Sequence, residues 1–484
     1  MEFLIVKKKY GSFLVPEFEG SKLANKCLPY DLIIPTDKGC SLSRRTEYPL
    51  MVGILETTKS KYGFTGKGNP IYLCKPLNEQ YPPFYIGSKI KDIIHNKLIT
   101  FKFDSWPENS EFPKGTFIEL LGDCGDFEAE KKSCLLKACG VIWKKILPEI
   151  IMPSFENRMK LSGYTFNIDP DGCKDIDDCI TIWDNSIAIS IADVSAFVEV
   201  NPWMKYAEMI GTSLYEDGTC VKPMFPRNLS EDLMSLVEGK ERLTYSFIIT
   251  NNSWKFEETI VKVDKSYTYD NFPNNQNRKQ LVSWVEKISG IKIDNIDNHK
   301  IIEILMLYYN TKAGEVLKKK NSGILRSQKG MNVERAKLFE AFSEEYMYLC
   351  YESAKYCLPN EDTIHQQLQV QNYAHASSPI RRYVDIINQF ALKEKTISYE
   401  TIHRFNQQQK AAKTYERDLV YLDLYKNKRN VEGIIIDSNS CFIILLKKII
   451  KLENNKKVKE KVLLRYYINP QNFKWKDKII FELL

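Results

Sequence analysis

The sequence predicts a multidomain α+β protein, with short β segments at both ends and a mixed α/β centre arranged around an acidic loop. Three observations lead there. Residues 1 to about 150 carry short runs of alternating apolar residues between Gly/Pro turn signals, the pattern of small barrels. From about 160 to 430, strand-like apolar runs alternate with long stretches of helical spacing. After Asn430 the short strands return. At 484 residues the chain is too long for one core, and 43% hydrophobic with 12% aromatic residues is the composition of a folded protein.

In the N-terminal part the expected strands are Phe13–Val15, Asp31–Ile34, Pro49–Leu55, Ile71–Cys74, Leu98–Phe103 and Thr116–Leu121. Two groups of aromatics with nearby lysines, Tyr62, Phe64 and Lys67, then Phe101, Lys102 and Phe103, are either stacking platforms for single-stranded bases or barrel packing. Glu128–Ile146 turns to helical spacing. In the centre, helices are expected over Trp203–Ile210, Ser230–Leu236, Lys279–Ile288, Lys300–Lys319, Val333–Tyr356, Pro379–Lys393 and Tyr399–Lys426, with Gly323 as a C-cap. The last strands are Val431–Ile436, Cys441–Lys447, Lys461–Tyr467 and Ile479–Leu483, interleaved with lysines that form a phosphate-binding rim or blunt the sheet edges.

The acidic loop lies between Asn167 and Cys179, with carboxylates at Asp169, Asp171, Asp175, Asp177 and Asp178 and only Lys174 as a base. So many like charges repel unless a cation or basic ligand gathers them, and an all-oxygen donor set suits a hard divalent ion, Mg²⁺ or Mn²⁺, better than zinc. On an extended segment Asp175 and Asp177 would point one way and Asp178 the other, with Pro170 and Gly172 folding Asp169 back. A solvated acidic turn is the alternative; an EF-hand loop fits worse, because its spacing is missing. Apolar runs on both sides place the loop between two buried strands, where catalytic metals sit.

Ser377-Ser378-Pro379-Ile380-Arg381-Arg382-Tyr383 is the second constellation. Ser378 reads as an N-cap and Pro379 as N1, which would set Arg381 in the first turn of a helix whose free N–H groups attract phosphate. Arg382 either joins that site or pairs with Asp385. Metal-ready aspartates plus a phosphate-ready arginine point to phosphodiester chemistry.

These motifs resemble the RNase II / RNase R (RNB) exoribonucleases. The family's D-x5-D-x-D-D is met by Asp169, Asp175, Asp177 and Asp178; Ile191–Val198, Gly211–Tyr215, Lys222–Leu236 and the S-S-P-I-R-R-Y stretch continue the match. Phe103 through Glu130 resembles the second cold-shock barrel. The resemblance implies two N-terminal OB-fold (cold-shock-like) barrels at 1–55 and 56–150, a mixed α/β RNB catalytic domain at 151–430, and a short C-terminal OB-fold at 431–484. It implies a processive 3′→5′ hydrolase that releases nucleoside 5′-monophosphates from single-stranded RNA. Asp169, Asp175 and Asp178 would hold Mg²⁺, with Asp177 positioning metal or water and two ions about 4 Å apart. Arg381 would neutralise the scissile phosphate, Tyr215 would stack on a base, Tyr269 would lie near the scissile bond, and Ser378, Arg382, Glu344 and Glu345 would contact RNA.

Three departures stand out. Ser190 replaces the family's His before I-A-D; Cys350-Tyr351 replaces Ala-Asn after E-E-x-M; and only about thirty residues separate Glu345 from Ser377, which implies a shortened catalytic domain. An RNB-fold RNA-binding or assembly protein without activity, and a nuclease for single-stranded DNA, are the competing readings.

The net charge of +7 is compatible with nucleic acid without specifying it. Twelve scattered cysteines and five histidines, none at metal-ligand spacing, read as free thiols in a reducing compartment, the cytosol by default or an organelle. No apolar run approaches the roughly 20 residues needed to cross a bilayer, so a membrane is not an expected partner. A monomer acting alone or with a helicase or degradation complex is the expected form.

Overall fold

The computed structural model describes residues 3–4, 6–9, 12–14, 26–29, 31–36, 39–45, 48–140, 149–251, 253–292, 297–342, 344–395, 402–470, 472 and 475–484. Two compact units emerge: Met1–Lys144 together with Lys413–Leu484, and Lys145–Ala412.

In the first unit a closed five-stranded barrel has the order Lys114–Asp123, Phe84–Gly87, Ile71–Pro76, Met51–Leu55, Lys97–Ser105. Tyr72, Phe84, Ile86, Ile99 and Phe101 fill it. Met51–Leu55, assigned from sequence to the first barrel, pairs inside this one; ahead of it the described residues form a three-stranded sheet of Phe3–Leu4, Leu32–Thr36 and Gly39–Arg44 and the hairpin Val6–Lys9/Ser12–Leu14. Five antiparallel strands, with Lys448–Lys451 missed by the sequence reading, make the C-terminal sheet. Lys478 and Glu130 form a buried ion pair of 2.6 Å between that segment and the Phe127–Cys139 helix.

The second unit is built on a seven-stranded sheet ordered Met159–Lys160, Trp254–Lys262, Glu241–Ile249, Ser186–Ala192, Asp178–Trp183, Tyr164–Asp169, Lys265–Thr268. Its two faces differ because strand residues alternate. Ile180, Ile182, Ile187, Ile189, Ile191 and Phe247 point to one side, against Leu281 and Trp284 of the Gln276–Ser289 helix and Ile301, Leu305 and Tyr309 of the Asn298–Lys320 helix. The other side carries buried hydroxyls in cross-strand register. Thr165 meets Thr181 at 2.9 Å, Ser246 donates to Ser190 at 2.7 Å, and Thr244 meets Thr259 at 2.6 Å. Ser190, where the family has His, is thus a member of this ladder.

Three expectations for the helices change. The Asn298–Lys320 helix is capped by Asn321 in the left-handed region, two residues before Gly323. Val333–Phe342 stops short, and the chain then forms a tight turn and the strand Lys355–Cys357. The predicted helix from Pro379 begins only at Tyr383, because the Tyr383 amide donates to the Gly211 carbonyl at 2.9 Å instead of turning into a helix begun at Ser378.

A buried charge network fixes this helix to the sheet. Asp193 accepts from Lys393 at 2.6 Å and pairs with Arg158 at 2.7 Å; Lys393 also pairs with Glu258 at 2.7 Å. Gln389 donates to the Ala192 carbonyl at 2.7 Å. Burial alone would raise the Asp193 carboxyl, but Lys393 and Arg158 prevail and hold it near about 2. A carboxyl depressed in the folded state stabilises the fold above its unfolded value and loses that contribution as pH falls through its folded value. Stability should therefore drop from about pH 4 toward pH 2. Asp193→Asn, which leaves two buried cations short of a partner, should lose roughly 3–5 kcal/mol at neutral pH and flatten that acid limb in urea titrations. An unchanged curve would contradict the assignment.

Candidate active site

The acidic loop joins the antiparallel strands Tyr164–Asp169 and Asp178–Trp183. Between them the chain is a turn, not an extended segment: Cys173 N donates to Pro170 O at 3.1 Å and Gly172 has φ +76°. Ser235 pins the loop, accepting from Ile176 N at 3.0 Å and donating to Lys174 O at 2.7 Å, while Leu236 N reaches Ile176 O at 3.1 Å. This is the work of the Lys222–Leu236 motif.

The aspartates around the turn take different partners. Asp177, 4% exposed, accepts from Ile380 N at 2.8 Å and from Arg381 Nε at 3.3 Å. Asp175 accepts from the Tyr215 hydroxyl. Asp169 closes its strand with one carboxylate oxygen, Oδ2, buried and without a donor. Asp178 opens the next strand. Asp171 is exposed.

Burial, then the like charges of Asp178 and Asp177, push the Asp169 carboxyl well above the carboxylate range. Burial raises Asp177 as well, against the pull of Arg381, and raises Asp178 to about 6. Asp169, Asp177 and Asp178, raised together in this way, form one electrostatic group.

Arg381 leans across the group. Its Nη2 donates to Ser378 Oγ at 3.0 Å, and the side chain stays 45% exposed, so part of its donor edge faces outward. Ser378–Arg382 is a turn before the helix, with Ser378 N held by Asp385 at 2.7 Å. The expected helix N-terminus under Arg381 is therefore not there, and the Ile380 amide already serves Asp177. Arg382 is committed to Asp385 through two bonds, of 2.9 and 2.8 Å.

Residues 160–289 and 332–397 match the RNB domain family, and residues 71–139 match the Dis3-like cold-shock domain 2 (CSD2). The matched residues carry an RNB domain. It is 29% identical to the human exosome complex exonuclease RRP44 over 223 residues, 41% of this chain and 23% of that one. The matched stretch spans about a quarter of the length of such curated relatives. The fold is similar to Mycoplasma genitalium RNase R in complex with ribose-methylated single-stranded RNA, with TM-score 0.69 and 16% identity over 100% of both chains. It is also similar to yeast Ssd1, a pseudonuclease, with TM-score 0.67 and 15% identity over 90% of this chain and 71% of that one.

Other site expectations for the RNB domain sort unevenly. Tyr269 stands within electrostatic reach of Asp169 and Asp178; burial and those charges push its hydroxyl up to about 12. Tyr215, expected as a base-stacking ring, is half-buried and its hydroxyl is bonded to Asp175. Glu345 is exposed on the turn Glu344–Cys350, with no described contact to the aspartates or Arg381, and the Glu344 side chain lies outside the described residues.

The helix that supports the S-S-P-I-R-R-Y turn is instead Asn298–Lys320, through Asn310, which the sequence reading missed. Its Nδ2 reaches Ser377 Oγ at 3.0 Å and its Oδ1 accepts from Ala376 N at 2.9 Å. Asn310 precedes Ser377 by 67 residues. The signal available was a lone asparagine on the apolar side of a long helix.

Among the described residues the one trio with ligand atoms within 4.8 Å is Asp92, His95 and Asp123 in the barrel unit, where Lys97 already bridges Asp92 and Asp123. The aspartates of the acidic loop form no such trio. Their fit to a hard divalent ion rests on the donorless buried oxygen of Asp169 beside Asp178, a pair of oxygen ligands whose repulsion a cation would relieve. Mg²⁺ or Mn²⁺ should raise the melting temperature of the wild type, and Asp169→Asn should abolish that response. In EDTA the same variant should melt at or above the wild type, since one repelled carboxylate has gone. A full metal response in Asp169→Asn would remove it from the ligand set.

Proposed function

We propose that the chain is a processive 3′→5′ exoribonuclease that hydrolyses single-stranded RNA to nucleoside 5′-monophosphates with Mg²⁺ or Mn²⁺. The observation that carries this is the grip of Asp177 on Arg381, beside the mutually repelling pair Asp169 and Asp178. It brings an acidic metal-type cluster and a phosphate-binding guanidinium to one place.

Asp169, Asp175 and Asp178 would hold the ion, which when bound supplies an activated water and neutralises charge on the phosphate. Asp177 and Ser378 fix the guanidinium from two sides, so that its remaining N–H groups present a prepaid orientation toward a scissile phosphate. Tyr215 holds Asp175 through its hydroxyl while its ring offers a face to a base. The Tyr269 hydroxyl, kept protonated, remains a hydrogen-bond donor near the reacting group. Arg382 acts from behind, ordering the turn through Asp385.

Of the two aromatic groups in the barrel, Phe101 belongs to the core, and Phe103 packs on Tyr48 at 4.9 Å. Tyr62 and Phe64 are 53% and 64% exposed, with Lys61 over the Phe64 ring at 5.8 Å, and they are the stacking platform we favour for single-stranded RNA. On the C-terminal sheet Lys461, Leu463, Arg465 and Tyr467 share one exposed strand face of similar character.

Likeness to a protein named as an exosome complex exonuclease makes a degradation complex a candidate partner. The described free cysteines suit a reducing compartment such as the cytosol. The competing reading, an RNA-binding protein without activity, has the fold likeness to the pseudonuclease Ssd1 in its favour. Against it stand four intact aspartates and Arg381.

Single-stranded RNA labelled at its 5′ end should be shortened from the 3′ end when Mg²⁺ is present, and EDTA should stop the reaction. Asp177→Asn should abolish cleavage with RNA binding largely kept, and Arg381→Ala should lower kcat by about 10²–10³. An undiminished Asp177→Asn enzyme would sink the mechanism, and an inert wild type that binds RNA would favour the binding protein. A DNA strand and an RNA duplex run alongside decide the substrate class.

A further inference from the structure

Arg326 is 7% exposed, on the strand Leu325–Ser327 opposite Tyr356. Its backbone amide donates to Tyr373 O at 2.8 Å. Its guanidinium has a side-chain hydrogen bond with Tyr356, but Nη1 is buried with no partner, and among the described residues no carboxylate pairs with it. The Tyr356 ring centroid lies 5.5 Å from Cζ, and Nη1 is left unanswered.

A buried cation without a counter-charge is costly and rarely left so. Its surroundings add no negative charge. Arg382, felt by Arg326 as a repelling neighbour, is already matched by Asp385. His365, 5% exposed, also has a buried Nδ1 without a partner, and its ring stands 5.7 Å from that of Tyr373. His375 shares a 2.9 Å hydrogen bond with the Tyr356 hydroxyl. Burial, followed by repulsion from Arg382, Arg326 and Arg381, keeps His375 uncharged, which also places this cluster beside the Arg381 turn. The balance of the cluster is one positive charge with an unanswered donor at Nη1, the complement of one singly charged phosphodiester between aromatic rings.

We propose that Arg326, with His365 at its side, is a phosphodiester-binding subsite that grips the RNA backbone apart from the aspartate cluster. The proposal rests on the RNA reading above for the identity of the strand, and on the unpartnered Nη1 of Arg326 and Nδ1 of His365 for the site itself. Guanidinium geometry distinguishes it from a general basic surface: a planar guanidinium donates to phosphate oxygens in a fixed plane, which a lysine cannot reproduce.

Binding of a 2′-O-methylated oligoribonucleotide, measured by anisotropy in EDTA over a range of salt, tests it without requiring turnover. Arg326→Met should weaken binding about tenfold and reduce the slope of log K against log[salt] by about 0.7, one phosphate contact on a single strand. Arg326→Lys should keep the slope and recover only part of the affinity. In melting experiments without ligand, Arg326→Met should be at least as stable as the wild type, because an unpaired buried charge has gone. Inorganic phosphate should stabilise the wild type more than this variant.

A destabilised Arg326→Met with an unchanged salt slope would make the arginine structural and overturn the subsite. RNA bound equally by wild type and variant would overturn it while leaving the RNA reading intact. A wild type that binds no RNA would sink that reading instead. The phosphate comparison would then decide the subsite alone: a difference between the proteins keeps an anion site, and no difference removes it.

Discussion

The contact of Asp177 with Ile380 and Arg381 joins segments 203 residues apart, and the local geometry of the RNB domain depends on it. Asp177 is buried among carboxylates that repel it, and burial by itself would leave it protonated. The backbone amide and the guanidinium give the charge a reason to persist, and the carboxylate gives the turn Ser378–Arg382 a reason to hold its shape. Neither segment has an independent claim on its observed conformation. Around this contact the molecule adds layers of support: Asp385 on Ser378 and Arg382, Asn310 on Ala376 and Ser377, and Ser235 on the acidic loop.

The sheet and the helices set the distances at which this can happen. Asp169 and Asp178 end and begin adjacent antiparallel strands, so they stand together as soon as the hairpin forms. Asp193, directly after the next strand, binds Lys393 at the far end of the helix that follows the arginine turn. One helix is therefore tied at both ends to consecutive strands, once through Asp177 near its start and once through Asp193 at its finish. Tilting that helix would strain a buried ionic bond at either end.

Much of this was legible in the sequence, and what was hidden has physical causes. The spacing of Asp169, Asp175, Asp177 and Asp178 and the Ser-Pro-Ile-Arg-Arg stretch identify the site, because chemistry needs those side chains whatever the backbone does. Their orientation was not legible. The partners that Asp175 and Asp177 take, Tyr215 for one and Ile380 with Arg381 for the other, come from segments far away in the chain. Ser378-Pro379 has every local feature of a helix start, yet the amide of Tyr383 is taken by Gly211, a tertiary bond that outweighs propensity. Glu344-Glu345 matched in letters, but the helix that reaches Ser377 was a different one, identified by Asn310. Phe101 and Tyr62 look alike in the sequence and separate only when the barrel closes on the first.

The hydroxyl ladder of the central sheet has a bearing on assembly. Each polar rung, Thr165 with Thr181, Ser190 with Ser246, Thr244 with Thr259, lies across from a partner of its own kind, and isoleucines paired mostly with aromatics flank the first two rungs. A strand that entered one residue out of step would turn its hydroxyls into the oily layer and its isoleucines toward the rungs. Both mistakes are penalised at once, so the sheet checks its own alignment while it forms. Asp169 and Asp178, at the mouth of that hairpin, inherit the correct alignment without any side chain in the loop having to enforce it.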